Sequence, residues 1–398
     1  MMTERIDRLS FPLMKNLSHR NEQFDIIKVE TYVTKKVTKK HLYSSIKSFL
    51  LLKLTTKCGI EGWGEAFVSD GSEILINKLI HDNLIKKTSY RKINPFIFID
   101  KLTHEDDNYD LMCATSAIEI ALWDILGKYT NKSVSELFET NNAKSVPVYA
   151  NTWSDIKQDD NNLIANVEEQ INKNYDSVKV YPLQNRGLRE AASIIKEVRK
   201  VVGPSRNIMI DLECPRDSDV PYNLENEILD TNPYWYEEPF DGKNLLKLSE
   251  YKKITQLKIV TGERQSEINH FKSLCHHKAA DIINPDISAI GGIIRMIKIA
   301  TIAADEGILV SPHCWNSMTI SASAKMHVCR IIQNNEKAEI FPEYFSFGDN
   351  FSIPSFKIRN SEAELQNRSG LGIIMDENEL KRLSQDYRIT LLLAEDTR

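Results

Sequence analysis

From Val146 onward the chain alternates short β-rich runs with amphipathic helical stretches, and this alternation restricts the fold more than any other feature. Eight runs have strand character: VPVYANT, SVKVY, NIMID, YWYEE, KIVTGE, DIINPD, ILVSPH and EIFPE. Between them lie helical segments such as NNLIANVEEQINK, GLREAASIIKEVRKVV and GGIIRMIKIATIAADEG. Strands separated by helices pair in parallel, because a helical crossover returns the chain to the same end of the sheet. The average spacing suits a (β/α)8 barrel of roughly 250 residues. No glycine-rich dinucleotide fingerprint follows the first strand, which disfavours a doubly wound sheet.

The preceding segment reads differently. IIKVETYV alternates apolar and polar residues as a half-buried strand does, and SFLLLKLTT and IEGWGEAF flank the turn residues KCG as a hairpin. Ser116 to Lys128, SAIEIALWDILGK, places Ile118, Ala121, Leu122 and Ile125 on one helical face. The expected organisation is a loosely ordered extension over 1–23, an α+β capping domain over 24–144, a barrel over 145–350 and a C-terminal return over 351–398.

With 398 residues, 41% hydrophobic and 27% charged, the chain has enough material for one large and one smaller domain. Its formal charge is -5 and it has no long block of Lys or Arg, which argues against nucleic acid as a partner. The six cysteines lack CxxC or zinc-like spacing and are read as free thiols of a reducing compartment. There is no apolar leader and no run of eighteen uninterrupted apolar residues, so a soluble cytoplasmic protein without membrane partners is expected.

Barrels of this kind place their chemistry where the strands end. Here those ends carry Lys179 and Tyr181, Asp211, Glu237, Glu263, Asp286, His313 and Glu343. Acids on three successive strands, Asp211, Glu237 and Glu263, are hard oxygen donors of the kind Mg²⁺ prefers. In the run NPYWYEEPF the two glutamates point to opposite sides of a strand, so one of the pair would bind metal while its neighbour holds a Lys or Arg behind it.

The ordered set GWGEAF, AIEIALWDILGK, WYEEP, TGE, NPDISAIGG, the PH of VSPHCWNS and GLG resembles the enolase superfamily, in its mandelate racemase and muconate lactonizing enzyme branch. The resemblance covers residue 24 to the end of the chain. It implies an α/β fold, a TIM-type (β/α)7β barrel with an α+β N-terminal cap completed by the C-terminal tail. It also implies Mg²⁺ on Asp211, Glu237 and Glu263, an Asp286–His313 dyad that moves a proton, and Glu343 beside the substrate carboxylate, with Glu339 close by in sequence. The chemistry implied is removal of the proton α to a carboxylate, giving an enediolate that the metal stabilises. Members are often dimers or octamers, so a homo-oligomer is expected.

This sequence departs from the family pattern at three places, the slightest being Ser369 before Gly370-Leu371-Gly372, where the family has Pro at a turn. Where the family commonly has Lys-x-Lys the run is Lys179-Val180-Tyr181, and a phenol of ordinary pKa near 10 is a poor base. One face thus lacks a base, which favours an acid-sugar dehydratase over a racemase, epimerase or cycloisomerase, since His313 could remove the α-proton and return it to the departing hydroxyl. Lys179 would steady the substrate carboxylate, and Tyr181 would donate a hydrogen bond or protonate the enol. Glu213 stands where an asparagine is common, with Arg264 as its counter-ion or a substrate clamp. The altered positions at Tyr181 and Glu213 also motivate the alternative of a non-catalytic barrel that serves as a binding module.

Asn151, Trp153, Trp315 and Asn316 follow strand ends and are candidates to line the pocket, and the mobile loops that set specificity are sought around Lys35 to Ser45. Cys314 is read as packing, His276 and His277 as exposed, and Gly291-Gly292 as a site of close strand-to-helix approach.

Overall fold

The computed structural model describes residues 25–34, 48–69, 71–86, 108–138, 145–153, 159–315, 318–342 and 347–392. Glu343, Asn316 and the stretch from Lys35 to Ser45 lie outside them.

Strands β1 (Ile26–Thr34), β2 (Leu50–Thr56) and β3 (Glu61–Ala66) form an antiparallel sheet, and β2 and β3 make the expected hairpin. Among the described residues two helices follow, α1 (Glu73–Lys86) and α2 (Tyr109–Thr130). Helix α2 was expected to bury one face, but it is buried on every side from Leu111 to Gly127. Its inner side meets β3 so closely that a Cβ on Gly64 would lie 1.8 Å from the Ala117 carbonyl oxygen. The glycines of GWGEAF are therefore the condition for this contact, since no larger residue fits.

The barrel begins at β4 (Ser145–Asn151) and continues through α3 (Asp160–Asn172), β5 (Ser177–Val180), α4 (Leu188–Val202), β6 (Asn207–Asp211) and α5 (Val220–Ile228). Next come β7 (Trp235–Glu237), α6 (Leu245–Lys252), β8 (Lys258–Thr261), α7 (Ile268–His276), β9 (Ile282–Ile283), α8 (Ile293–Asp305), β10 (Leu309–Val310), α9 (Thr319–Ile331) and β11 (Ala338–Ile340). Neighbours from β4 to β10 pair in parallel, and β11 returns to pair with β4. Backbone bonds from Val310 to Asn334, Glu336 to Val310 and Glu339 to Pro312 connect β10 with the approach to β11. Eight strands with seven intervening helices make the (β/α)7β arrangement.

The tail contributes β12 (Ser352–Ile353), β13 (Phe356–Arg359), β14 (Glu362–Leu365), β15 (Ile374–Met375), α10 (Glu377–Leu383) and β16 (Ser384–Leu391). β16 pairs with β1, and the buried Lys53 ammonium meets Glu377 at 2.7 Å, so the tail completes the cap sheet. Before it does so, the β13–β14 hairpin adds antiparallel to Ser145–Pro147 of β4, a pairing the sequence did not suggest. That stretch is free to take it because β5 pairs only with Ala150 and Asn151. Among the described residues no helix is long and apolar enough to cross a membrane.

Carboxylates of the cap fasten it to the barrel. Glu65 of β3 accepts hydrogen bonds from the Met318 and Ser321 amides at the start of α9, at 2.6 and 2.8 Å. Glu119 of α2 accepts from Ile293 and Ile294 at the start of α8, at 2.7 and 3.1 Å, and from the Trp123 indole at 2.6 Å. A Cβ on Gly292 would lie 2.1 Å from this carboxylate, so the double glycine does pack closely, with the chain's own anion in the niche. First-turn amides have no partner within their own helix and carry partial positive charge, which makes them natural donors to these acids. Burial pushes Glu65 up to about 7 and Glu119 up to about 8, against the pull of those amides.

His327 of α9 marks a second junction. Its Nε2 lies 3.1 Å from the Leu371 carbonyl of the tail, and its Nδ1 lies 3.3 Å from Ser135 Oγ of the cap. Burial pushes the imidazole down to about 4. A folded value below the unfolded one near 6.5 means that stability is full above pH 6.5 and is lost as pH falls toward 4. The stability difference between wild type and His327→Gln, from urea unfolding, should shrink by about 2 kcal/mol between pH 7.5 and 4.5. A difference that stays constant over this range would contradict the assignment.

Candidate active site

The site sits one layer above an apolar plug. Tyr149, Met209, Trp235, Val260 and Ile282, one from each of five strands, pack together inside the barrel. Two residues further along their chains stand Asn151, Asp211, Glu237, Gly262 and Asn284, because the side-chain period of a strand is two. Parallel register aligns Asp211 with Glu237 on adjacent strands. Glu263 follows β8 by two residues, and single oxygens of Asp211, Glu237 and Glu263 lie within 4.8 Å of one another.

Mutual repulsion is evident in this cluster. Burial together with the neighbouring acids raises Asp211 to about 6 and Glu237 well above the usual carboxylate range, although Lys179 opposes both shifts. The Lys179 ammonium, fully buried, touches Glu237 Oε1 and Glu339 Oε1 at 2.7 Å and Asp211 Oδ2 at 3.4 Å. His313 donates or accepts through Nδ1 at 2.9 Å from Asp286 Oδ2, while its Nε2 faces Glu263 at 3.4 Å and Glu339 at 3.7 Å. Five carboxylates thus surround two cationic groups, an excess of negative charge that a divalent cation would balance. Three converging hard oxygens with room for further ligands fit Mg²⁺.

Asp286 fixes the ring. Its Oδ1 accepts from the Ser288 amide at 2.9 Å and hydroxyl at 2.5 Å, leaving Oδ2 for His313 and the Trp315 amide. Held at Nδ1, the imidazole presents Nε2 to the pocket. Burial alone would lower its pKa, but Glu263, Glu339 and Asp286 outweigh that and raise it to about 9.

Phe67, Tyr109, Trp153, Tyr181, Asp211, Glu213, Glu263, Arg264, His313 and Trp315 line a cavity of about 240 Å³. Phe67 and Tyr109 belong to the cap and meet edge to face at 5.9 Å, and Trp153 and Trp315 do the same across the barrel mouth at 4.6 Å. The candidates Tyr181, Glu213, Arg264 and Trp315 are thus brought to one pocket.

Other expectations need correction. Lys179 is not presented to the pocket as a substrate contact, because the carboxylates around it consume its donors. Asn151 is buried too, donating from Nδ2 to Tyr181 at 2.8 Å and to Glu339 at 2.7 Å, so it supports pocket residues and does not line the cavity. Among the described residues Glu238 binds no Lys or Arg. It accepts from Thr261 Oγ1 at 2.6 Å, the Gly262 amide at 3.1 Å and Cys214 Sγ at 2.9 Å, since those donors lie on the flanking strands.

Glu339, which the sequence offered beside Glu343 on the last strand, is the one the structure describes. It is fully buried on β11, where Lys179, Asn151 and the Cys314 amide converge on it, and Lys179 and His313 hold its carboxyl below the usual range despite burial. Inward alternation along EIFPE was the available signal. Asn284, which donates to Glu237 at 3.0 Å and Glu263 at 3.3 Å, was missed inside NPDISAIGG. Cys314 is buried and His276 and His277 are exposed.

The backbone around the acids is constrained. Glu213, Cys214 and Glu238 adopt φ of 52, 55 and 45°, which costs of order 1–3 kcal/mol per residue for non-glycine side chains. Bonds from the Glu213 amide to Asp211 Oδ1 and from the Cys214 amide to the Glu238 carbonyl, both 2.9 Å, hold them there.

Comparison with known proteins agrees with this architecture. Residues 162–379 match the enolase C-terminal domain-like family, and residues 28–138 match the mandelate racemase / muconate lactonizing enzyme N-terminal domain. The chain belongs to the mandelate racemase and muconate lactonizing enzyme branch of the enolase superfamily. A solved structure described as an enolase from environmental shotgun sequencing of the Sargasso Sea is 39% identical, superposes with a TM-score of 0.88 and covers 93% of this chain and 99% of its own. D-gluconate/D-galactonate dehydratase of Picrophilus torridus is 25% identical across 85% of this chain and 89% of its own. D-galactonate dehydratase of Klebsiella pneumoniae is 24% identical across 89% of this chain and 96% of its own.

The acidic triad makes a direct prediction. Saturating Mg²⁺ should raise the unfolding midpoint, by about 2.7 kcal/mol of stabilisation at a hundred times the dissociation constant. Asp211→Asn and Glu263→Gln should lose that response in a thermal-shift titration. An unchanged response in both variants would place metal binding elsewhere.

Proposed function

We propose that this protein is a Mg²⁺-dependent acid-sugar dehydratase, a hydro-lyase that removes water across the α and β carbons of a hydroxylated carboxylate. The observation that carries the reading is the Asp286–His313 dyad, whose Nε2 faces the same cavity as the acidic triad. The dehydratase relatives support the substrate class, a small carboxylate bearing hydroxyl groups.

Asp211, Glu237 and Glu263 would hold the metal. Bound there, Mg²⁺ supplies positive charge that polarises the substrate carboxylate and offsets the Glu263 charge acting on His313. His313 Nε2 takes the α-proton, and the electron pair left behind forms the carbon–carbon double bond as the β-hydroxyl departs. The same imidazolium returns its proton to that hydroxyl, which leaves as water. The product is an enol that tautomerises to a 2-oxo acid.

The opposite wall favours elimination over racemisation. Racemisation needs a base on each face, yet Tyr181 is a buried phenol pushed well above its ordinary pKa and bonded to Asn151. Tyr181 suits hydrogen-bond donation to the substrate. A positioned base contributes about 10²–10⁴ in rate, or roughly 3–5.5 kcal/mol, so much of the remaining acceleration falls to electrostatic preorganisation.

In D₂O with Mg²⁺, aldonic and aldaric acids should exchange or lose the α-proton by NMR and release a 2-oxo acid. His313→Asn should reduce turnover by about 10²–10⁴ while keeping the Mg²⁺ thermal shift. Absence of both exchange and product across the panel would refute the reading.

A further inference from the structure

Two charged side chains line the pocket without a hydrogen bond from their charged groups among the described residues. The Glu213 carboxylate accepts no hydrogen bond among the described residues, although it lines the cavity. Arg264 donates none either. Among the described residues its one ion pair is with Glu263, 3.7 Å from Nε to Oε1 and longer than a hydrogen bond. Glu213 follows β6 and Arg264 follows β8, so they reach the same cavity from different loops, and they form no direct ion pair with each other.

Neither placement is incidental to the backbone. Glu213 and Cys214 occupy two successive left-handed positions, kept there by bonds to Asp211 and Glu238. Strained positions of this kind persist where surrounding contacts enforce them, and here they set a carboxylate at the pocket. An exposed ion pair would gain little from such constraint, whereas an acceptor and a donor held apart can both bind a group carrying O–H and a lone pair.

Resting on the acid-sugar reading, we infer that Glu213 and Arg264 form a two-point site for the uncharged hydroxyl chain of the substrate. Glu213 accepts a hydroxyl proton, and Arg264 donates N–H to a hydroxyl oxygen. The pair selects acids with one carboxylate and a polyhydroxy chain over acids with a carboxylate at each end. A second carboxylate has no proton for Glu213 and meets the like charge of the Glu213 carboxylate itself. Glu213 and Arg264 are both exposed at the mouth of the cavity, so the preference comes from matching donor to acceptor and from like-charge repulsion, with water able to meet either group when no hydroxyl is bound.

The experiment compares wild type, Glu213→Gln and Arg264→Gln with Mg²⁺ on D-gluconate and D-galactonate against D-glucarate and galactarate. Calorimetric binding in a His313→Asn background separates affinity from turnover. Wild type should favour an aldonate by about ten-fold or more in kcat/KM. Glu213→Gln should raise aldonate KM about ten-fold, lower kcat less, and reduce the discrimination against aldarates. Arg264→Gln should raise KM for both classes. If Glu213→Gln fails to fold, Glu213→Asp keeps the charge and should raise KM while retaining the preference for aldonates. A wild type that turns over an aldonate while the variants stay within about twofold in KM and preference overturns this inference alone, that being the size of ordinary surface effects. So does a wild type that prefers aldarates. A wild type that binds and dehydrates neither class overturns the acid-sugar reading, and this inference with it.

Discussion

One ammonium group, that of Lys179, sets the terms on which the acidic end of the barrel exists. Three carboxylates within 3.4 Å of it would repel one another without water to screen them, and each is buried. A buried cation among several anions is stable only when its donors are consumed and further hydrogen bonds complete the shell. Asn151, Asn284, the Trp235 indole and the Cys314 amide provide that shell. Lys179 balances only part of the charge, so the remaining excess, centred on Asp211, Glu237 and Glu263, is what gives the site its attraction for a divalent cation.

The cap depends on the same kind of chemistry in a gentler form. Glu65 and Glu119 are buried acids whose carboxyl oxygens are met by helix amides, at the N-termini of α9 and α8. Asp124 extends the pattern, accepting from the Trp63 amide, the Leu371 amide and Lys128. These residues come from GWGEAF, AIEIALWDILGK and GLG, motifs that looked unrelated in sequence. Their shared task is to join cap, barrel and tail, which is why glycine recurs beside each acid.

How much of this was legible follows from what each residue does. The strand ends could be read because parallel register brings ends to one face, so ionisable residues closing successive β-runs had to meet. The direction of each side chain was harder. Strands β9 and β10 have two residues each, and nearly every position is buried, so apolar alternation could not say which residue looks inward. Asn151 closes β4, where neither neighbour in sequence reports that its amide meets Tyr181 and Glu339 from other strands. Lys179 was misjudged because its partners come from β6, β7 and β11, separations that no local pattern reports. The β13–β14 hairpin escaped notice because its partner edge on β4 exists only once the barrel has formed.

A continuous set of bonds runs from the cap to the candidate base. The Phe67 amide, at the end of the cap sheet, donates to the Ser288 carbonyl at 3.0 Å. Ser288 in turn holds Asp286 by both amide and hydroxyl, and Asp286 holds His313. Phe67 is also part of the pocket wall, so the residue that shapes the substrate space is tied to the loop that orients the imidazole. Proton transfer on one face demands that the ring point at a single carbon, and a small rotation would redirect Nε2 toward Glu263 or Glu339, both within 3.7 Å. Docking of the cap therefore contributes to the aim of the base as well as to enclosing the pocket. The barrel alone would carry the same side chains, but with the Asp286 loop missing one of its anchors.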